Sequence, residues 1–219
     1  MRKLIGTFCV LLGIICLLCA VGLVLNNRFE DKNAGNISKS LLKEVKIAIK
    51  CDFTDDSSEN EKPNEEQNKE NFAEIPDSPT EEIPNEMAVI EVDGFKCIGI
   101  LSIPVLNLEL PILTDWSYEK LKSAPCHYYG SYFEKDFVIA GHNYYSHFAG
   151  LSELKVGDMV IFTDVNGTVH YYEVALLETL PKKATKEMIV SGFDLSLYTC
   201  TLGGDNRITV RCNTVDARN

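Results

Sequence analysis

Three side chains in the second half of the chain could together carry out acyl transfer. They are His142, Cys200 and Arg207, and each stands where a predicted strand meets a loop. A cysteine attacks as its thiolate, which is a minor species near neutral pH unless a neighbouring group takes the proton. A histidine can take that proton and later deliver it to a departing amine. An arginine, which is always charged, can donate hydrogen bonds to the oxyanion of a tetrahedral intermediate.

Each of these residues also has a purely structural interpretation. A lone cysteine is more often a buried, inert thiol or half of a disulfide. The candidate bridge partners of Cys200 are Cys97, Cys126 and Cys212. A lone histidine is more often a surface or core residue, and spacing does not choose His142 over the other three histidines. Arg207 and Arg211 share one strand face, which usually means a solvated surface or ion pairs.

The spacing around Cys200 supports its meeting with Arg207. Two predicted strands, 195–199 and 207–212, are joined by a turn that contains two glycines and is short enough for a hairpin. Cys200 and Arg207 would then face each other across this turn. Alternation along the first strand puts Tyr198 and Cys200 on the same face.

The chain from residue 88 onward has the pattern of a β-barrel. Short apolar runs rich in β-branched residues alternate with turn formers, and Asn166-Gly167 is a strong hairpin signal. The predicted strands are 98–103, 106–113, 137–140, 159–163, 168–177, 195–199 and 207–212. A short helix is predicted at 117–123. This spacing favours a mostly β fold, a closed or nearly closed barrel with small helices.

An apolar run of 22 uncharged residues, 4–25, follows Arg2 and Lys3. As a helix it would be about 33 Å long, which is enough to cross a bilayer. The basic residues before it predict a cytoplasmic N-terminus and an extracellular remainder. A cleaved signal peptide is the competing interpretation, but the run is long for one and no small-x-small site closes it. We therefore expect an uncleaved single-pass anchor in residues 1–28.

Two further segments separate this anchor from the barrel domain, 88–219. Residues 29–51 have the pattern of an amphipathic juxtamembrane helix. Residues 52–87 contain 13 acidic residues and two lysines, which account for the whole formal charge of −11. This composition predicts a disordered acidic linker. Because the rest of the chain is neutral overall, we do not expect nucleic-acid binding.

The order of these motifs resembles that of the sortase family. Sortases carry a histidine after a strand, then a Thr-Leu-x-Thr-Cys motif, then an arginine that begins the next strand. The corresponding residues here are His142, SLYTC at 196–200 and RITVR at 207–211. The flanking stretches GILSIP at 99–104 and GLSELKVGD at 150–158 are similar as well.

This resemblance implies a sortase-type eight-stranded barrel and a membrane-anchored, extracellular cysteine transpeptidase. Cys200 would attack the Thr–Gly bond of a sorting signal similar to Leu-Pro-x-Thr-Gly, with His142 as acid and base and Arg207 at the oxyanion. Thr199 and Ser196, which replaces the first threonine of the motif, would contact the substrate. The partners would be proteins with a C-terminal sorting signal and an amine acceptor such as lipid II or a pilin lysine.

Several finer points follow from the same resemblance. No cofactor or metal site is predicted, and calcium activation is left open. The short stretch 180–190 argues against class B sortases, which insert a long helix there, and we expect a class D-like or related enzyme. Asp115-Trp116 is similar to the lid motif of pilin-polymerising sortases, but it follows the second strand and is not interpreted as a lid.

Two other functions remain open from the sequence. One is a non-catalytic, surface-anchored β-barrel that binds a partner. The other is a different cysteine peptidase of the cell wall, although papain-like peptidases usually place the cysteine before the histidine.

Overall fold

A computed structural model of the chain describes residues 2–52 and 86–216, with side chains from 11 to 50 and from 86 to 216. Within these ranges the chain is mostly β. The strands are β1 (Ile90–Val92), β2 (Phe95–Ile103), β3 (Leu108–Leu113), β4 (Cys126–Tyr129), β5 (Phe137–Ala140), β6 (Met159–Asp164), β7 (Val169–Pro181), β8 (Leu195–Cys200) and β9 (Asn206–Thr214). The α-helices are α1 (Arg2–Asp52), α2 (Tyr118–Leu121) and α3 (Thr185–Ile189).

Eight of the strands close into a barrel. Their order around it is β2-β3-β4-β5-β8-β9-β7-β6, and antiparallel pairing of β6 with β2 completes the circle. β1 pairs with β2 outside this ring. Only β3–β4 and β5–β8 are parallel neighbours among the described strands. The predicted fold class, a closed eight-stranded barrel with short helices, is confirmed.

All seven strands predicted from the sequence are present, and so is the short helix, here α2. Ser117 caps α2, since its hydroxyl accepts from the backbone N–H of Lys120 at 3.1 Å. The elements that the sequence did not indicate are β1, β4 and α3. They have three, four and five residues, too few for a periodic pattern of apolar positions to be visible.

Alternate side chains of the strands fill the barrel interior. Completely buried residues from the three strands that matter most for the site are Ile139, Leu197 and Val210. Because the side-chain period of a strand is two, the burial of Leu197 fixes the orientation of the rest of β8. Thr199 therefore faces the core, whereas Tyr198 and Cys200 face outward, as the alternation predicted.

Helix α1 continues without a break from the apolar run into the predicted juxtamembrane segment. Leu41, Val45 and Ile49 are buried in an apolar cluster on the outside of β2 and β3. Nearer the start of the helix, the Asp31 carboxylate accepts from the backbone N–H and the hydroxyl of Ser146, at 3.0 and 2.6 Å. The second half of α1 is therefore packed along the barrel.

The first part of α1 is exposed along its described side chains, from Leu11 to Leu25. It is long and apolar enough to cross a membrane, and its described apolar side chains are exposed. The predicted linker, 52–87, lies almost entirely outside the described residues. The boundaries predicted for the anchor and the linker stay predictions.

Arg211 of β9 holds helix α3 against the outside of the barrel. Its side chain is 1% exposed. The guanidinium donates to the carbonyls of Glu187 and Met188 at 2.7 and 3.2 Å. It also donates to the Glu178 carboxylate and to the hydroxyl of Ser196, both at 2.8 Å. Arg211 is thus a structural residue: of the two possibilities indicated by the alternation, a solvated surface or an ion pair, it has the ion pair, with Glu178.

We expect Arg211→Ala to lower the free energy of unfolding by about 1–3 kcal/mol, because Glu178 and two carbonyls lose their donor in a buried place. Arg207→Ala, on the same strand, is the matched control and should change it by less than about 0.5 kcal/mol. Urea unfolding of both variants in detergent micelles, followed by circular dichroism, measures the difference. Equal losses in the two variants would contradict the structural role of Arg211.

Candidate active site

The pairing of β5, β8 and β9 brings the three predicted catalytic residues to one end of the barrel. Cys200 is directly opposite Arg207 in the antiparallel ladder of β8 and β9. On the other side of β8, Ala140 is level with Tyr198, and the Gly141 N–H donates to the Tyr198 carbonyl at 3.0 Å. This parallel register, continued by two residues, puts His142 level with Cys200. Since neighbouring strands are about 4.8 Å apart, the three residues occupy adjacent positions.

Cys200 differs from the other described cysteines of the barrel in its surroundings. It is a free thiol and is partly exposed at the end of β8. The other barrel thiols, Cys97, Cys126 and Cys212, are also free but completely buried. Burial raises the pKa of Cys97 to about 11 and the pKa of Cys126 and Cys212 to about 12. Only Cys200 among these four is placed to react as a thiolate.

His142 follows β5 in a loop that folds tightly back on the barrel. Its carbonyl accepts from the N–H of Phe148 at 3.1 Å, and its ring centroid is 4.7 Å from that of Tyr144. Partial burial lowers the pKa of His142, the positive charge of Lys122 lowers it further, and Glu30 of α1 opposes both effects. The balance of these effects makes the His142 imidazole less basic than a free one.

The other three histidines either contact polar groups of the protein or are buried away from solvent. His127 lies between two carbonyls, at 3.1 Å from that of Thr114 and 2.7 Å from that of Gly130. His170 contacts the Asp164 carboxylate at 3.2 Å. His147 is 1% exposed, and burial lowers its pKa to about 4. The structure thus favours His142, a choice that spacing alone could not make.

Arg207 is held by the turn that precedes it. Its Nη1 donates to the carbonyls of Gly204 and Asn206 at 2.9 and 3.1 Å. A guanidinium has five N–H donors, so the turn fixes its position and leaves the other donors facing the cavity that Arg207 lines. Because Arg211 is buried behind α3, Arg207 is the arginine available at this site.

The two predicted substrate contacts are buried. Ser196 is completely buried, and its hydroxyl is taken by Arg211. We therefore correct the prediction for Ser196, which supports α3 from inside the wall of the site. Thr199 is also completely buried on the core side of β8, and its hydroxyl has no hydrogen-bond partner among the described residues. Substrate contact by Thr199 stays a prediction.

Two cavities are lined by residues close to Cys200 in the chain: Tyr198 lines the first and Thr201 lines the second. The first has a volume of about 170 Å³, and Arg207 and Lys182 provide charge in its wall. Its apolar and aromatic lining consists of Trp116, Tyr118, Tyr128, Pro181, Ala184, Met188 and Tyr198. The second has a volume of about 600 Å³ and lies between the loop after His142 and the turn after Cys200. Because Tyr198 and Thr201 lie close to Cys200 on its two sides in the sequence, we call the two cavities together the candidate groove.

Trp116 is a site residue that its sequence context did not indicate. Its ring contacts those of Tyr118 and Tyr128, with centroids 4.9 and 6.0 Å away. Tyr128 in turn meets Tyr198 edge-on at 5.4 Å. These aromatic residues come from the loop before α2, from α2 itself, from β4 and from β8, so the fold brings them together.

The described part of the chain contains no preformed metal site. No group of three or more His, Cys, Asp or Glu side chains lies close enough together there to hold an ion.

Comparison with known proteins agrees with this geometry. A family model described as the sortase domain matches residues 101–215. The chain belongs to the sortase family. Sortase A from Bacillus anthracis is 27% identical to it over 126 residues, which are 55% of this chain and 60% of that protein. The match therefore spans less than two thirds of this curated relative.

Solved sortase structures have the same barrel. Sortase C1 from Streptococcus agalactiae is similar with a TM-score of 0.52 and 28% identity, over 58% of this chain and 72% of that one. Sortase A from Corynebacterium diphtheriae has a TM-score of 0.51 and 25% identity, over 57% and 63% of the two chains. Between β7 and β8 this sortase has only the five-residue helix α3, in keeping with the argument against class B. A class D-like assignment stays a prediction.

We expect Gly141→Ala to disturb both the barrel and the position of His142. A Cβ at this position would lie 2.4 Å from the ring of Phe148, which is completely buried. Overpacking of this kind costs about 1–3 kcal/mol of stability, and the strain falls on the residue directly before His142. Urea unfolding and the rate at which a methanethiosulfonate labels Cys200 should both change.

Gly150→Ala is the matched control for this prediction. Its Cβ would meet Leu106 at an ordinary 3.4 Å, so stability and labelling rate should stay close to those of the unmodified protein. If the two alanine variants behaved alike, the close contact at Gly141 would have no role in placing the histidine.

The pKa of His142 should respond in opposite directions to its two charged neighbours. Lys122→Gln removes a like charge and should raise this pKa. Glu30→Gln removes an opposite charge and should lower it. NMR titration of the assigned His142 ring measures both shifts. Lys135→Gln, whose lysine instead faces Asp194, should have no effect, and a shift of similar size there would refute this account.

Proposed function

We propose that this protein is a membrane-anchored extracellular sortase. It cleaves a sorting signal similar to Leu-Pro-x-Thr-Gly between Thr and Gly and transfers the new carboxyl end to an amine. The proposal is supported above all by the register of β5, β8 and β9: Cys200 is paired with Arg207, and His142 comes two residues after Ala140, which is paired with Tyr198.

The first half of the reaction forms a thioester. The Cys200 sulfur attacks the carbonyl carbon of the threonine, and its proton passes to the neutral ring of His142. The tetrahedral intermediate then expels the glycine nitrogen, which takes this proton and leaves as an amine. The lowered pKa of His142 favours the second of these steps, because a weakly basic imidazole gives up its proton readily to the departing nitrogen.

Arg207 stabilises the negative oxygen of the tetrahedral intermediate. Its guanidinium is fixed by two carbonyls of the preceding turn, so it does not have to reorganise when the charge develops. Preorganised donors at an oxyanion are worth about 2.7–4 kcal/mol each. In the second half of the reaction an amine attacks the thioester, His142 takes its proton, and Cys200 is released.

The candidate groove suits an extended peptide. The cavity beside Arg207 is small and lined mainly by aromatic and apolar side chains, so it can take one or two apolar residues of a sorting signal. The wider cavity can receive the entering amine. Proteins with such a signal are the proposed substrates, and a cell-wall precursor such as lipid II or a pilin lysine is the proposed acceptor.

Residues 4–25 are the proposed membrane anchor. The helix that contains them is apolar and exposed there, and it continues directly into the part of α1 that packs on the barrel. With Arg2 and Lys3 on the cytoplasmic side, the barrel lies outside the cell.

The test is release of a quenched fluorophore from a peptide with a Leu-Pro-x-Thr-Gly-like sequence, in the presence of an amine. Cys200→Ala should have no activity. Arg207→Ala should lose about 100- to 1,000-fold in kcat, as expected for loss of an oxyanion donor. Cys212→Ala, which removes a buried thiol from β9, is the control and should stay active.

Three results would count against the proposal. An active Cys200→Ala variant would refute the thiol mechanism. Cleavage that is never followed by transfer to any amine would instead indicate a cysteine peptidase. Binding of the peptide without cleavage, with Cys200 unreactive towards methanethiosulfonate, would indicate a binding protein.

A further inference from the structure

Helix α1 determines how far the catalytic end of the barrel is from the membrane. This inference rests on the proposed anchor in residues 4–25. Since the helix has no break after Leu25, Asn27 and Asp31 stand only about 3 and 9 Å beyond the apolar run. Both residues line the wide cavity beside Cys200. The headgroup region of a bilayer is about 5–8 Å deep on each side, so this end of the barrel lies at its level.

Three large apolar or aromatic side chains are exposed at the same level. Phe29 is 72% exposed, Tyr145 91% and Leu202 94%. Tyr145 lies in a surface cleft with Arg28, and Leu202 lines the wide cavity with Asn27. We call Phe29, Tyr145 and Leu202 the interfacial rim.

Basic side chains of α1 lie next to Tyr145 of the interfacial rim. The cleft beside Tyr145 is also lined by Arg28, Lys32 and Lys39 of α1. The one carboxylate in its lining, that of Asp31, is held by Ser146. Aromatic side chains next to basic ones at the end of a membrane helix are typical of residues that sit among lipid headgroups.

The members of the interfacial rim come from three separate segments. Phe29 is on α1, Tyr145 is in the loop after His142, and Leu202 is in the turn after Cys200. All three lie at a similar distance along the axis of α1 from the end of the apolar run. A flat bilayer surface that crosses this axis can contact all three of them at once. We propose that the interfacial rim enters the headgroup region, so that the end of β8 that carries Cys200 faces the membrane surface.

This orientation has a consequence for the substrates. Both the sorting signal and the amine acceptor must reach Cys200 along the membrane surface, which favours partners that are themselves attached to a lipid or a membrane helix.

The test uses single tryptophans in the full chain, reconstituted into vesicles of lipids brominated near the headgroup end of their acyl chains. Trp116 is the only tryptophan, so Trp116→Phe provides the background. Tyr145→Trp and Leu202→Trp then report on the interfacial rim. Val89→Trp is the matched control, because Val89 is also exposed but precedes β1, whose Ile90 packs beside the far end of the docked helix.

We expect bromine to quench most of the fluorescence of Tyr145→Trp and Leu202→Trp, and to leave that of Val89→Trp unchanged. Flotation of the same vesicles shows separately whether the chain is anchored. If the protein floats with the vesicles but all three tryptophans are equally unquenched, the interfacial rim does not touch lipid, although the anchor stands. If the protein does not float, the anchor itself fails.

A protein covering the interfacial rim would give a different result. The emission of Tyr145→Trp would shift to shorter wavelength in both brominated and ordinary lipid, without quenching, and the shift would depend on protein concentration if the partner were a second copy. A shift to shorter wavelength without quenching would overturn the proposal, whether or not it depends on protein concentration.

Discussion

The backbone ladder between β5, β8 and β9 is the constraint on which the site depends. Cys200 is paired with Arg207, and the pairing of Ala140 with Tyr198 brings the loop that begins with Gly141 and His142 to the same end of β8. A slip of one residue in β8 would turn the thiol into the barrel. The slip is prevented on the inner face, where Leu197 is completely buried and any shift would exchange it for a neighbour of different character.

The outer face of β8 becomes progressively more open towards the thiol. At Ser196 it is sealed by Arg211 and α3, and at Tyr198 it is covered in part by Tyr128. At Cys200 the cover ends. Within four residues, β8 therefore runs from the fully buried Ser196 to the partly exposed Cys200. The buried part of the strand holds the backbone in place, so the thiol can be accessible and still firmly positioned.

The sequence was sufficient for the barrel and for the outward-facing position of Cys200 beside Arg207, and the reasons are local. Strand alternation, the Asn166-Gly167 hairpin and the short turn before Arg207 are all patterns between near neighbours. The residues alone could not distinguish His142 from the other histidines, and they could not predict the aromatic cluster around Trp116. Both features depend on pairings between strands that are distant in the sequence. Ser196 was misjudged for the same reason, since its partner Arg211 becomes its neighbour only through the β8–β9 ladder.

Helix α1 was expected to be a spacer, yet it contributes to the electrostatics of the site. Its Glu30 raises the pKa of His142, in opposition to burial and to Lys122, and also lies 3.4 Å from the Tyr144 hydroxyl beside that ring. The amphipathic pattern correctly indicated a helix but could not say what its apolar face would cover. Because the same helix carries the proposed anchor and a charge that acts on the catalytic base, any change in how α1 seats on the barrel would alter both the height of the site and the basicity of its histidine.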